Sequence, residues 1–139
     1  GSSNANNKKI LWKFINRFHQ EIKPADHKIL DGLANYAINY FKDKVEPNKK
    51  FKKPNSKEKK ALENLVKKLR EIDTSLSPEE IQTHIYTVGK ENGYAKNLRD
   101  WFKLIYQVVF GEENGPRMGF FISFFGLKET IELINDKIK

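Results

Sequence analysis

The stretch NLRDWFKLIYQVVFGEENGPRMGFFISFFG, residues 97–126, decides the fold. Its residues Leu98, Trp101, Phe102, Ile105, Val108 and Val109 recur at three- and four-residue spacing, the period of a helix with one buried face. That spacing predicts a helix from about Ala95 to a stop at Gly111, because glycine readily adopts the left-handed conformation that closes helices. Beyond the acidic turn, Pro116 to Phe125 reads as a short, nearly all-apolar helix with proline at its first position and Gly126 as its stop. Arg117 would then stand at the positive end of the helix dipole, at a cost of a few tenths to about 1 kcal/mol. An anion bound at that corner would offset the cost.

The same period runs through the flanking sequence. Upstream, Ser77, Pro78, Glu79 and Glu80 carry a hydroxyl cap, a proline at the first helical position and a glutamate placed for a capping box. The helix they open uses Ile81, Ile85 and Val88 and is expected to end before Gly93. Before it, Asn55 or Ser56 caps a helix with the stripe Ala61, Leu62, Leu65, Val66, Leu69 and Ile72. Residues 43–55 hold two prolines and no period, which predicts a basic connector. Two further amphipathic helices, around Ile10–Ile22 and Ile29–Phe41, meet at a KPAD turn. After Gly126 a last helix uses Leu127, Ile131, Leu133, Ile134 and Ile138. The expected fold is all-α, a bundle of about seven helices without a strand. It would form a single domain over residues 8–139, preceded by a cloning scar or disordered leader at 1–7.

At 139 residues, 38% of them hydrophobic, the chain can bury one core. It contains no cysteine, which excludes disulfides and thiolate metal sites. No apolar run approaches the roughly 18 to 20 residues of a membrane span, and no export signal opens the chain, so a cytoplasmic location without membrane contact is expected. Its leader leads to the expectation of an excised domain. The net charge is +8, and nine lysines against three acidic residues between Lys42 and Lys60 supply most of it. Within that segment Lys49, Lys50, Lys52 and Lys53 are either phosphate contacts or part of a solvated connector.

Catalytic chemistry is missing. His19, His27 and His84 are scattered over three helices without the spacing of a metal site, so no metal is expected. Glu112 and Glu113 sit in a turn, Glu79 and Glu80 begin a helix, and no strand precedes a glycine-rich phosphate loop. What remains is a basic helical domain with aromatics and arginines gathered near its C-terminus. Unpaired RNA bases are read by stacking on aromatic faces while guanidinium groups and amides satisfy edges and phosphates. Phe102, Phe121, Phe124 and Phe125 are expected in the core, which leaves Trp101 and Phe120 as candidates for the surface. The C-terminal helices are too apolar for a DNA-reading helix-turn-helix, so no DNA partner is expected.

Three separated blocks carry a resemblance. AKNLRDWFKLIYQVVFGEENGPRMGFFISFFGLKETIELI, SPEEIQTHIYTVGKE and NYAINYFKDKVEPNKKFKKP closely resemble the C-terminal domain of class I lysyl-tRNA synthetases, from about Leu11 to the end of the chain. The glutamyl-tRNA synthetases are similar more weakly, through Gly111, Gly126 and the proline turn at Pro116. The resemblance implies an α-helical cage that receives the anticodon stem-loop of a lysine tRNA. It also implies a separate N-terminal catalytic domain that uses ATP and magnesium; its HIGH and KMSKS motifs do not occur here. The chain alone would need no cofactor and would be inactive as a ligase. The glutamyl pattern would put Pro116 and Met118 near a base, although Tyr106 stands where that pattern tends to carry arginine.

On this reading the amides at the start of the Pro116 helix, with Arg117, grip anticodon oxygens or a flanking phosphate. Trp101, Tyr106 and Phe120 supply walls, Gln107 or Asn114 addresses an imide edge, and Lys90 and Arg99 add contacts around the KENGYAKN turn. The alternative is a basic helical interaction module that binds RNA or acidic partners without anticodon specificity.

Overall fold

The computed structural model describes residues 51–139, and every regular element among them is helical. The two N-terminal helices expected from periodicity, together with His19, His27, Lys49 and Lys50, lie outside the described residues. The remaining five expected helices are present as α1 (Ser56–Glu71), α2 (Pro78–Gly89), α3 (Leu98–Val109), α4 (Met118–Phe125) and α5 (Leu127–Ile138).

Two of them begin on local signals. Asn55 Oδ1 accepts from the Glu58 amide at 2.8 Å while Glu58 Oε1 accepts from the Asn55 amide at 2.9 Å, which completes a capping box for α1. Ser77 and Glu80 repeat the device at α2, with Pro78 at the first helical position. The stripe of α1 is buried from Ala61 to Leu69, but Ile72 turns extended and only half-buried as the helix closes. Past α2 the chain makes one widened turn, Lys90–Tyr94, in which Gly93 takes a positive φ of 96°. Here Asn92 donates to the Val88 carbonyl and accepts from Asn64 Nδ2, both at 2.7 Å, tying the turn to α1.

Two expectations are corrected. The α3 stripe is centred on Trp101, Leu104, Ile105 and Val108, so Trp101 lies fully inside and Phe102 is the half-exposed member of the pair. The indole of Trp101 packs on Gly89, where a Cβ would collide with it, and its N–H donates to the Ile85 carbonyl at 3.0 Å. The second correction concerns α4, which begins at Met118 rather than Pro116; Arg117 is its N-cap residue and makes no side-chain cap.

The most extensive helix pairing is α2 on α4, and α1 and α3 both pack on α5. Residues 51–55, the described end of the expected basic connector, lie outside any helix and are anchored to α3. The Lys52 amide donates to the Gln107 carbonyl at 3.1 Å, satisfying one of the carbonyls that the C-terminal end of α3 leaves open. Beside it Lys137 Nζ of α5 lies 3.5 Å from the centroid of the Phe51 ring.

Candidate nucleic-acid interface

The corner between α3 and α4 is held from both sides. On one side Tyr106 of α3 donates its hydroxyl to the Pro116 carbonyl at 2.9 Å, and its ring covers Gly115, where a Cβ would collide with it. On the other, Gln82 of α2 reaches across with its side-chain oxygen and accepts from the Gly119 amide at 2.6 Å. Gln82 is only 4% exposed, so this bond satisfies two groups that water cannot reach. Beneath the corner, Phe110 meets Phe121 edge to face at 5.1 Å.

This frame presents Arg117 and Asn114 to solvent, with Pro116, Tyr106 and Phe120 half-exposed beside them. Arg117 makes no ion pair with any described residue. Five of the expected site residues are thus brought to one corner. Trp101 and Met118 are not among them: both are buried, at 0% and 1% exposure, so neither offers a face for a base. Met118 is enclosed as the first residue of α4, next to Gly119, which packs on α2. The amide grip is also narrower than expected, since the Gly119 amide is occupied by Gln82.

Lys90 and Arg99 are exposed but distant from the corner along their helices. Lys90 stands just past the end of α2, more than two turns beyond Gln82, and Arg99 lies about 10 Å before Tyr106 on the axis of α3. Lys53 is exposed, and Lys52 forms an ion pair with Glu58 at 2.9 Å. Among the described residues no group of histidine, cysteine or acidic side chains has the arrangement of a metal site. No described helix is long and apolar enough to cross a membrane.

Gln107 faces a different way. It lies roughly 100° around α3 from Tyr106, and it lines a cleft of about 320 Å³ with Lys52, Glu58, Tyr94, Asp100, Lys103 and Leu104. Within this cleft burial pushes the Glu58 carboxyl up, but the hydrogen bond from Lys52, the Asn55 amide and the Lys52 charge together hold it below its ordinary 4.5. A lowered folded pKa contributes stability that is present above the unfolded value and lost as pH falls through the folded one. The stability difference between Glu58→Gln and the parent chain is therefore expected to be about 1 kcal/mol at pH 7 and to shrink below pH 4.5. Thermal melts at pH 7 and pH 3 test this; an equal difference at both would show that the charge of Glu58 contributes nothing.

Sequence reasoning missed Gln82, Tyr94, Lys103 and Glu58. For Gln82 a signal existed, since it neighbours Ile81 and precedes Ile85 by three on the inward face of α2. Tyr94 and Lys103 carried none, because the docking of residues 51–55 creates the cleft they line.

Residues 8–138 match the family described as anticodon binding domain. The chain is 38% identical over 135 residues to lysine–tRNA ligases of Rickettsia bellii (strain OSU 85-389) and Rickettsia felis, covering 97% of this chain and 26% of each relative. The lysine–tRNA ligase of Rickettsia rickettsii (strain Sheila Smith) is 36% identical over the same span. The chain therefore spans about a quarter of the length of the curated relatives it matches. No solved structure matches it.

Proposed function

The chain belongs to the anticodon binding domain family, and from that premise we propose that it is the part of a lysine–tRNA ligase that selects tRNA by its anticodon loop. The similarity to lysine–tRNA ligases over nearly the whole chain favours this reading over a basic module without anticodon preference. The observation that carries it is the braced corner of α3 and α4. Arg117 stands at a helix start without an ion pair among the described residues, and Tyr106, Phe120 and Asn114 flank it. An anionic RNA backbone supplies the charge this helix end favours, and half-exposed rings supply stacking surface.

On this reading the domain is an α-helical cage of the class I type and acts in the cytoplasm. ATP and magnesium serve a separate catalytic domain of the same enzyme, which would be this chain's protein partner. The fragment alone binds tRNA and attaches no lysine. Arg117→Ala is expected to weaken binding of a lysine anticodon stem-loop by about tenfold, the effect of losing one charge-assisted hydrogen bond. Its melting temperature should be unchanged or slightly raised, since a misplaced helix charge is removed. Filter binding and a thermal melt read the two quantities; unchanged affinity with an intact fold would remove Arg117 from the site.

A further inference from the structure

We propose that the cleft between Tyr94, Lys103 and Gln107 holds one unpaired uracil base of the bound RNA, read along its imide edge. The inference deepens the proposed function and rests on it. The cleft exists because the extended residues before α1 dock on the C-terminal half of α3 through the Lys52 amide and the Gln107 carbonyl. At about 320 Å³ it falls at the small end of the range of ligand sites.

Its lining selects the ligand class. Two cations, Lys52 and Lys103, face two carboxylates, Glu58 and Asp100, so the cleft has no net charge to attract a bare anion. Lys52 is already spent on Glu58 at 2.9 Å, and Asp100 accepts from Asn97 Nδ2 at 2.9 Å. A neutral, flat group with a polar edge fits this balance better than a phosphate does. Buried Leu104 gives it an apolar floor.

Two polar groups in the cleft have no hydrogen-bond partner for their side chains among the described residues: the Tyr94 hydroxyl and the Gln107 carboxamide. Both are half-exposed, so water satisfies them until a ligand arrives. Burial, reinforced by the Glu58 charge, pushes the Tyr94 phenol up, and the group therefore remains a hydrogen-bond donor at neutral pH. Its ring is fixed against Trp101, centroid to centroid 5.3 Å. A carboxamide offers an acceptor and a donor side by side. Uracil offers an imide N–H with a carbonyl on either side. Gln107 pairs with the imide N–H and one carbonyl, and the Tyr94 hydroxyl donates to the other. Lys103 stands at the rim, loosely held to Glu113 at 3.8 Å, in reach of the phosphate that carries the base. Glu113 belongs to the loop that leads to Arg117, so the cleft adjoins the braced corner through α3.

The test uses lysine anticodon stem-loops in which loop uridines are replaced one at a time by N3-methyluridine, which blocks the imide edge and leaves the stacking face. The parent chain is expected to lose 10- to 100-fold in affinity at one position, the range of a good bidentate base contact. Gln107→Leu should bind the unmodified loop weaker by a similar factor and show no further loss on methylation at that position. Tyr94→Phe keeps the ring on Trp101 and should lose about fivefold, the effect of one neutral hydrogen bond; thermal melts of both variants should match the parent. Free uridine at the same concentration should not compete. Competition by free uridine would make the cleft a nucleoside site and overturn its assignment to RNA. Equal sensitivity of parent and Gln107→Leu to every methylation would overturn the inference and leave the tRNA reading standing. If the parent chain bound no stem-loop at all, the tRNA reading itself would fall, and the inference with it.

Discussion

Trp101→Ala is expected to cost about 4 kcal/mol of folding stability, the usual loss for deleting a buried tryptophan side chain. The residue is fully enclosed, with Gly89 on one side and the Tyr94 ring on another. Truncation leaves a cavity, and it also removes the donor for the Ile85 carbonyl. For a domain of this size that loss lowers the melting temperature by on the order of 15 °C. Trp101→Phe separates the two contributions: it keeps most of the ring volume and should cost about 1 to 3 kcal/mol through the lost indole hydrogen bond and the smaller ring. The phenylalanine variant should bind an anticodon stem-loop as the parent does, because position 101 presents nothing to solvent. A stability loss under 1 kcal/mol for Trp101→Ala, or a binding loss in Trp101→Phe, would place the indole on the surface after all.

Gly119→Ala is the second large effect, and its sign is what makes it informative. Inside an exposed helix, alanine in place of glycine gains up to about 1 kcal/mol. Here the added Cβ would collide with the Pro78 carbonyl oxygen and approach Gln82 Cβ and the Gln82 amide nitrogen at 2.9 Å. Two of these neighbours are backbone atoms of α2, so the collision cannot be relieved by a rotamer change. Separation of α2 from α4 is the only relief, and it stretches the Gln82 to Gly119 hydrogen bond. Overpacking of this kind costs about 1 to 3 kcal/mol, and stranding a buried amide and carboxamide adds a comparable amount. The expected net loss is about 3 kcal/mol, a fall in melting temperature of roughly 10 °C. Stability equal to or above the parent would mean that α2 and α4 are not in contact here.

Both variants bear on which parts of the fold were legible in the sequence. The starts of α1 and α2 were readable because a capping box lies within four consecutive residues. The stops at Gly111 and Gly126 were readable for a similar reason: their positive φ values, 69° and 118°, are conformations that glycine adopts without strain. The start of α4 was not readable, because its first turn is fixed by Gln82, which is 37 residues away in the chain. Proline at the first helical position is a local preference, and a buried tertiary hydrogen bond overrode it. The choice between Trp101 and Phe102 failed for the same reason. The two are adjacent on α3, and the space left by the missing Cβ of Gly89 decides which ring goes inside.

The site divides in the same way. Arg117, Pro116 and Asn114 share one short loop, so their convergence followed from the sequence, as did that of Phe120 one turn on. Tyr106 joins them by a hydrogen bond spanning ten residues. The cleft around Gln107 depends on an extended segment some 50 residues earlier in the chain, and no periodicity announces such a docking.

A domain that recognises the anticodon of a lysine tRNA must prefer it to a glutamate anticodon presented on the same stem. Competition between lysine and glutamate anticodon stem-loops for the chain, followed by fluorescence anisotropy at one fixed salt concentration, reads this preference. The lysine stem-loop is expected to displace a labelled lysine stem-loop at concentrations at least tenfold lower than the glutamate stem-loop requires. Equal displacement by both, or displacement by heparin as effective as by the lysine stem-loop, would contradict it and leave a basic helical module without anticodon preference.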